Sequence, residues 1–176
     1  MATTIAKVNF EPTTDVLAAV HRRDFVLADR TLVDPTNALC LVDGEWMAIG
    51  VGYKMSRASA VGTPGARASV RSFPLWMERG RYDVQAIAQT KAPVIWLGHY
   101  EADTRVYDAS VTLGSGAAIT SVMQPLKVAT ITVNGRNYSG LVGHGGSADT
   151  DPVVGYVTRL PAENGGKLRF QAGYRS

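Results

Sequence analysis

The feature that most constrains this chain is its rhythm. From residue 38 onward, runs of roughly four to eight aliphatic, β-branched and aromatic residues return about every 8–12 residues, and Gly, Asn, Asp or Pro fills each gap. Runs this short are the length of strands, and turn residues at each break leave no room for a sustained helical period. The pattern predicts a mainly β protein: an antiparallel β-barrel or β-sandwich with an extended N-terminal arm and little helix.

Individual turns sharpen this. Asn134-Gly135 lies between runs at 127–133 and 136–142; both residues tolerate the positive φ of a two-residue hairpin, which makes this the strongest hairpin signal in the chain. Asp43-Gly44 predicts a second hairpin, between 38–42 and 45–51. Residues 93–100 read as a buried strand. Strands are expected over 106–113 and 118–123 around Gly114-Ser115-Gly116, and over 152–160 and 167–172 around Asn164-Gly165-Gly166. Residues 58–68 read as loop. The run 70–77 contains Pro74, which cannot donate to a ladder, and is expected as an edge strand or ordered loop. A short helical stretch is expected at 83–89.

Residues 1–36 show no sustained period and are expected to form an extended arm, with one helical turn over 16–20 capped by Thr13, Thr14 or Asp15. Residues 37–176 then form a single β-rich domain, with 58–81 as an inserted basic and aromatic loop or edge segment. The length, 176 residues, suits one domain with an arm. Apolar residues at 45% against 19% charged exclude a wholly disordered chain. No uninterrupted apolar stretch of about 18 residues occurs, so no membrane-spanning helix is expected. The first residues do not read as a secretory signal, and the single Cys40 cannot form an internal disulfide, so a cystine-stapled secreted class is not expected.

Reaction chemistry is sparse in the pattern. His99, Glu101 and Asp103 would share one face of a continuing strand and could present an imidazole and two carboxylates to a metal; the simpler reading is a solvated strand end. Gly143-His144-Gly145-Gly146 resembles a glycine-rich oxyanion loop, with His144, Ser147 and Asp149 as a hydrolase alternative. No Gly-x-Ser-x-Gly elbow and no strand–helix alternation accompany it, which favours a wide surface turn. Asn164-Gly165-Gly166-Lys167 lacks the upstream Gly and following Ser/Thr of a phosphate loop, and no dinucleotide fingerprint or paired Cys spacing occurs. The expectation is a non-enzyme with no catalytic residues, no cofactor, no metal and no small-molecule substrate.

Charge is more informative. The chain carries 13 Arg and 5 Lys for a net charge of +3, and Arg is favoured where planar, stacked or bidentate contacts are made. Between Lys54 and Arg81 six basic residues face one acid, Glu78. Within that stretch Arg67, Arg71, Arg79 and Arg81 alternate with Phe73, Trp76 and Met77, types enriched at interface centres. Three readings are open: a partner-docking surface, core aromatics with solvated arginines, and a single-stranded nucleic-acid platform. Docking is carried forward, with Arg22, Arg23, Arg67, Arg71, Phe73, Trp76, Arg79 and Arg81 as contact residues.

The carboxyl-terminal third adds a resemblance. Pro152-Val153-Val154-Gly155-Tyr156-Val157-Thr158-Arg159-Leu160, the turn with Asn164-Gly165-Gly166, and the closing run Lys167-Leu168-Arg169-Phe170 resemble the end of tailed-bacteriophage head decoration, or capsid cement, proteins. Leu39-Cys40-Leu41-Val42-Asp43-Gly44-Glu45-Trp46-Met47 looks like that family's early barrel hairpin, and Tyr100-Glu101-Ala102-Asp103-Thr104-Arg105-Val106-Tyr107-Asp108 is similar to its middle. The resemblance is one of general pattern and implies a virion structural protein, made in the host cytoplasm and placed on the outer capsid surface. Its implied partners are the major capsid protein and itself, as a homo-oligomeric trimer or dimer, with no nucleic acid and no membrane. Another β-rich phage component, a tail-tube or baseplate protein, is the alternative.

Overall fold

The computed structural model describes residues 10–13, 20–29, 41–59, 72–75, 91–110, 116–162 and 166–172. Residues 16–19 of the helical turn expected at 16–20, the stretch expected at 83–89 and most of 58–81 lie outside them; Val20 itself begins a strand. The molecule is mostly β, as the turn rhythm requires, and its largest element is a curled antiparallel half-barrel. Among the described residues no helix is long and apolar enough to cross a membrane.

The half-barrel has six strands: β1 (Phe10–Pro12), β7 (Tyr100–Thr104), β8 (Pro125–Val133), β9 (Arg136–Gly143), β10 (Gly155–Arg159) and β11 (Leu168–Ala172), in the order β1-β7-β11-β10-β8-β9. Asn134 and Gly135 take φ of 51° and 75°, giving the two-residue turn that sets Val133 opposite Arg136 and fixes the β8–β9 register. β8 is a nearly continuous apolar run because both its faces are covered. Leu126 and Val128 enter the main core, while Ala129, Ile131 and Val133 pack with Val106, Tyr138 and Val142 on the other side.

The two free edges of this sheet are managed differently. On β1 the Phe10 N–H donates to Asp43 Oδ2 at 3.0 Å, and Pro12, two residues on, has no N–H to offer. That edge is closed to further pairing. On β9, the chain leaving β7 bends across: Leu141 N–H donates to Val106 O at 3.0 Å and Asp108 N–H to Leu141 O at 2.9 Å, and Ala117 N–H reaches Gly143 O at 2.8 Å. Gly140 permits the crossing, since a Cβ there would lie 2.5 Å from Ile131 Cδ1 and 2.9 Å from Val106 O.

The described residues between 20 and 98 supply a second, smaller body between β1 and β7. β2 (Val20–Val26) pairs with β6 (Lys91–Gly98), and β3 (Trp46–Ile49) lies between β4 (Met55–Arg57) and β5 (Ser72–Pro74). Bridges Leu27–Met55 and Leu75–Val94 join the two small sheets, so the five strands run round a ring, β2-β6-β5-β3-β4. Phe25, Leu27, Leu41, Met47, Met55, Phe73, Leu75 and Val94 fill it. Period-two alternation lets two strands serve both bodies: Met47 and Val94 face the ring, while their neighbours Trp46 and Ile95 enter the half-barrel core. There Trp46, Phe10, Tyr100 and Phe170 pack with ring centroids 6.1–6.4 Å apart.

Three expectations change. The N-terminal arm is extended, but its described parts are not coreless: Phe10 is buried in the half-barrel, and Phe25 and Leu27 in the ring. Asp43-Gly44 is a tight turn, with Gly44 at φ +85° and Glu45 N–H on Val42 O, yet among the described residues it joins no strand pair; β3 pairs instead with the strands that follow it. In the strand expected at 106–113 the described residues make one isolated bridge to β9, Tyr107–Leu141, and in that expected at 118–123 they make none; the bridge Ala117–Gly143 lies just before it. Side chains satisfy the backbone there: Gln124 Oε1 accepts from Thr120 N–H and its Nε2 donates to Ala118 O, and Asp108 Oδ1 accepts from Ser110 N–H. The described part of the Pro74 segment, β5, is the outer strand of the β4-β3-β5 sheet, as expected, and is joined to β6 by the single Leu75–Val94 bridge.

Candidate functional site

The ring carries the described residues expected to meet a partner. Arg23 on β2 is exposed, and its guanidinium lies 5.1 Å from the centroid of Phe25, the next side chain on that face of the strand. Arg22 holds its place in the β2 backbone opposite Ile95. Phe73 is 5% exposed: on β5, alternation turns Phe73 and Leu75 together into the ring, so its area is spent on the core and not on an outward contact. Arg67, Arg71, Trp76, Arg79 and Arg81 lie outside the described residues.

The ring shows a contact feature the sequence reading missed. β3 and β4 are joined by a 3-10 turn over Val51–Tyr53 in which Val51 is 98% and Tyr53 81% exposed. Gly52 and Tyr53 have φ of 70° and 57°, and Lys54 beside them is also exposed. A left-handed tyrosine costs backbone energy, and such outliers concentrate at functional surfaces. The available signal was Gly50-x-Gly52, which interrupts the run expected to continue to Val51.

At the other end of the β3–β4 pair, the ring meets the half-barrel at a buried charge. Glu45 is fully buried, and both its carboxylate oxygens accept from Arg57 Nε at 3.1 Å. The Val42 and Ser139 backbones also bond to it, Ser139 lying on β9. Burial outweighs these partners and pushes the Glu45 carboxyl up to about 7.

A row of charge crosses the half-barrel at one register: Glu11 on β1, Asp103 on β7, Arg169 on β11 and Arg159 on β10. Asp103 Oδ1 accepts from Arg169 Nε at 2.7 Å and Oδ2 from Nη2 at 3.0 Å, with Arg159 at 3.4 Å; Lys167 bonds Glu11 at 2.6 Å. Burial works against the Asp103 anion, but the hydrogen bonds and positive charge of Arg169 prevail and hold its carboxyl below the ordinary value. This is also where the suggested His99–Glu101–Asp103 face sits. His99 falls between β6 and β7 and is exposed, while Glu101 and Asp103 turn to Arg169. Among the described residues no group of three or more His, Cys, Asp or Glu side chains could hold a metal ion.

The glycine-rich loop after β9 does not form the suggested hydrolase arrangement. His144 is buried; its Nδ1 accepts from Gly146 N–H at 3.2 Å, which leaves Nε2 as the protonated nitrogen, 3.1 Å from Asp151 O. Both ring nitrogens are thereby engaged with loop backbone, and Ser147 points into solvent on the 3-10 turn Gly146–Ala148. Asp149 instead turns inward to the buried Lys127. Although burial disfavours its anion, hydrogen bonds from Lys127 and from the Gly145 and Asp151 backbones hold the Asp149 carboxyl well below the usual carboxylate range. The geometry serves to pin a loop against β8. No protein-family model, curated protein or solved structure matches this chain.

Proposed function

We propose that this chain is a structural protein of a tailed-phage virion, lying on the outer surface of the icosahedral head and bridging neighbouring major capsid subunits. It is made in the host cytoplasm, assembles as a homo-oligomer, and works by covering seams between subunits. The observation that carries this reading is the Val51–Tyr53 tip, where among the described residues Val51 is 98% and Tyr53 81% exposed, so the turn offers large apolar side chains to a partner. The fold is consistent with the decoration-protein resemblance, and a ring set beside a half-barrel gives one chain two faces with which to span two neighbours. Several such modest contacts, repeated over a shell, add up through multivalency.

Co-sedimentation with expanded heads that lack this protein tests the proposal. Wild-type chain is expected to pellet with the heads. Tyr53→Ala is expected to weaken binding by about 30-fold, the ~2 kcal/mol typical of an aromatic anchor, with folding unchanged. Wild-type chain left in the supernatant overturns the reading. Stacked rings of the purified protein in negative stain would instead favour a tail-tube component.

A further inference from the structure

Lys127 is the most deeply buried cation among the described residues, its side chain 1% exposed. Its Nζ lies 2.5 Å from Asp149 Oδ2 and 3.0 Å from Asp151 Oδ2, and those two side chains are themselves only 7% and 6% exposed. An ammonium and two carboxylates so placed carry desolvation costs of several kcal/mol per ion, costs that a neutral amide in the same place does not have to meet. They also place an amine, a carboxyl carbon and a proton carrier at near-attack spacing, where effective concentrations are very high.

We infer that Lys127 and Asp149 condense to an intramolecular isopeptide bond, with Asp151 carrying the protons. The ammonium of Lys127 first gives a proton, relayed by Asp151, to Asp149, whose carboxyl is then neutral and open to attack. The freed amine attacks Asp149 Cγ, forming the N–C bond. Negative charge on the two Asp149 oxygens is met by donors already in place: Gly145 N–H at 2.9 Å from Oδ2 and Asp151 N–H at 3.1 Å from Oδ1. The nitrogen loses a second proton through Asp151, both protons reach one Asp149 oxygen, the C–O bond breaks and water departs. Asp151 ends as it began, a carboxylate, so ammonium and carboxylate have become amide and water with no oxidant or cofactor. The driving force is the removal of two buried charges in favour of a neutral amide. The resting Asp149 anion opposes attack until the first proton has moved, so the bond is expected to form after folding, once the site is dry.

The bond would tie β8 to the loop ahead of β10, a cross-link for a chain whose single cysteine allows no internal disulfide. It does not depend on the proposed capsid role. Mass spectrometry of the purified, denatured full chain is expected to read one water below the sequence mass. A tryptic digest is expected to hold Lys127 uncut and joined to the peptide carrying Asp149. Lys127→Arg is expected to restore the full sequence mass, and Asp151→Asn to leave the bond unformed. If Lys127→Arg fails to fold, the linked peptide in the wild-type digest remains the deciding measurement. A wild-type chain at full sequence mass overturns the inference, and so does a water loss that persists in Lys127→Arg, because an aspartyl succinimide would explain it.

Discussion

Glu45 shows how one side chain can set the response of two bodies to pH. Its carboxyl titrates near 7 in the folded protein and near 4.5 when unfolded, because burial penalises the anion more than Arg57 and two backbone partners favour it. Between those values the folded state binds the extra proton. Stability is therefore greatest near the lower value and declines as pH rises through about 7, by an amount on the order of a few kcal/mol. Asp103 has the opposite sign: its folded value is depressed, so its contribution is present above the ordinary 3.8 and fades as pH falls below it. Urea unfolding should thus give its highest midpoint near pH 4.5. Glu45→Gln, which fixes the uncharged form, should match wild type there and stay level up to pH 8. A wild-type midpoint that rises between pH 4.5 and 7 would contradict this account.

At the scale of elements, the β8–β9 hairpin has its register in its turn. Gly135 stands at φ 75° with nothing within 4 Å of where a Cβ would be, so Gly135→Ala meets only the left-handed backbone cost, about 1 kcal/mol in thermal or urea unfolding. A loss of several kcal/mol would mean the turn packs against something. This hairpin was legible in the sequence because φ preference and strand pattern act over a few residues. The ring was not, because bridges such as Leu27–Met55 and Leu75–Val94 join residues far apart in sequence. The same limit explains Phe73. An Arg-and-aromatic alternation is what an interface shows, but it is also what a strand shows with one face inside a barrel, and only the pairing of β5 on β3 separates the two. The Lys127–Asp149–Asp151 cluster was equally hidden. Lys127 reads as a polar interruption in an apolar strand, and its partners arrive from a loop first read as a solvent-exposed turn.

For the whole molecule, the question is whether ring and half-barrel stand separately. Three features bind them: the ring is inserted between two paired strands, β1 and β7; Trp46 and Ile95 leave the ring to fill the larger core; and Glu45 bridges Arg57 in the ring to β9. A ring that melted alone would withdraw Trp46 from Phe170 and leave the half-barrel with an open core. The two bodies should therefore unfold in one transition, with tryptophan fluorescence and far-ultraviolet circular dichroism coinciding. Trp46→Ala should lower that single transition by about 3–5 kcal/mol, the usual cost of removing a buried aromatic, without splitting it. Two resolved transitions in the wild-type protein would mean that the shared strands do not couple the cores. The rigid span between two capsid neighbours that we propose would then lose its structural basis, because load on one contact face would be taken up by ring motion before it reached the other.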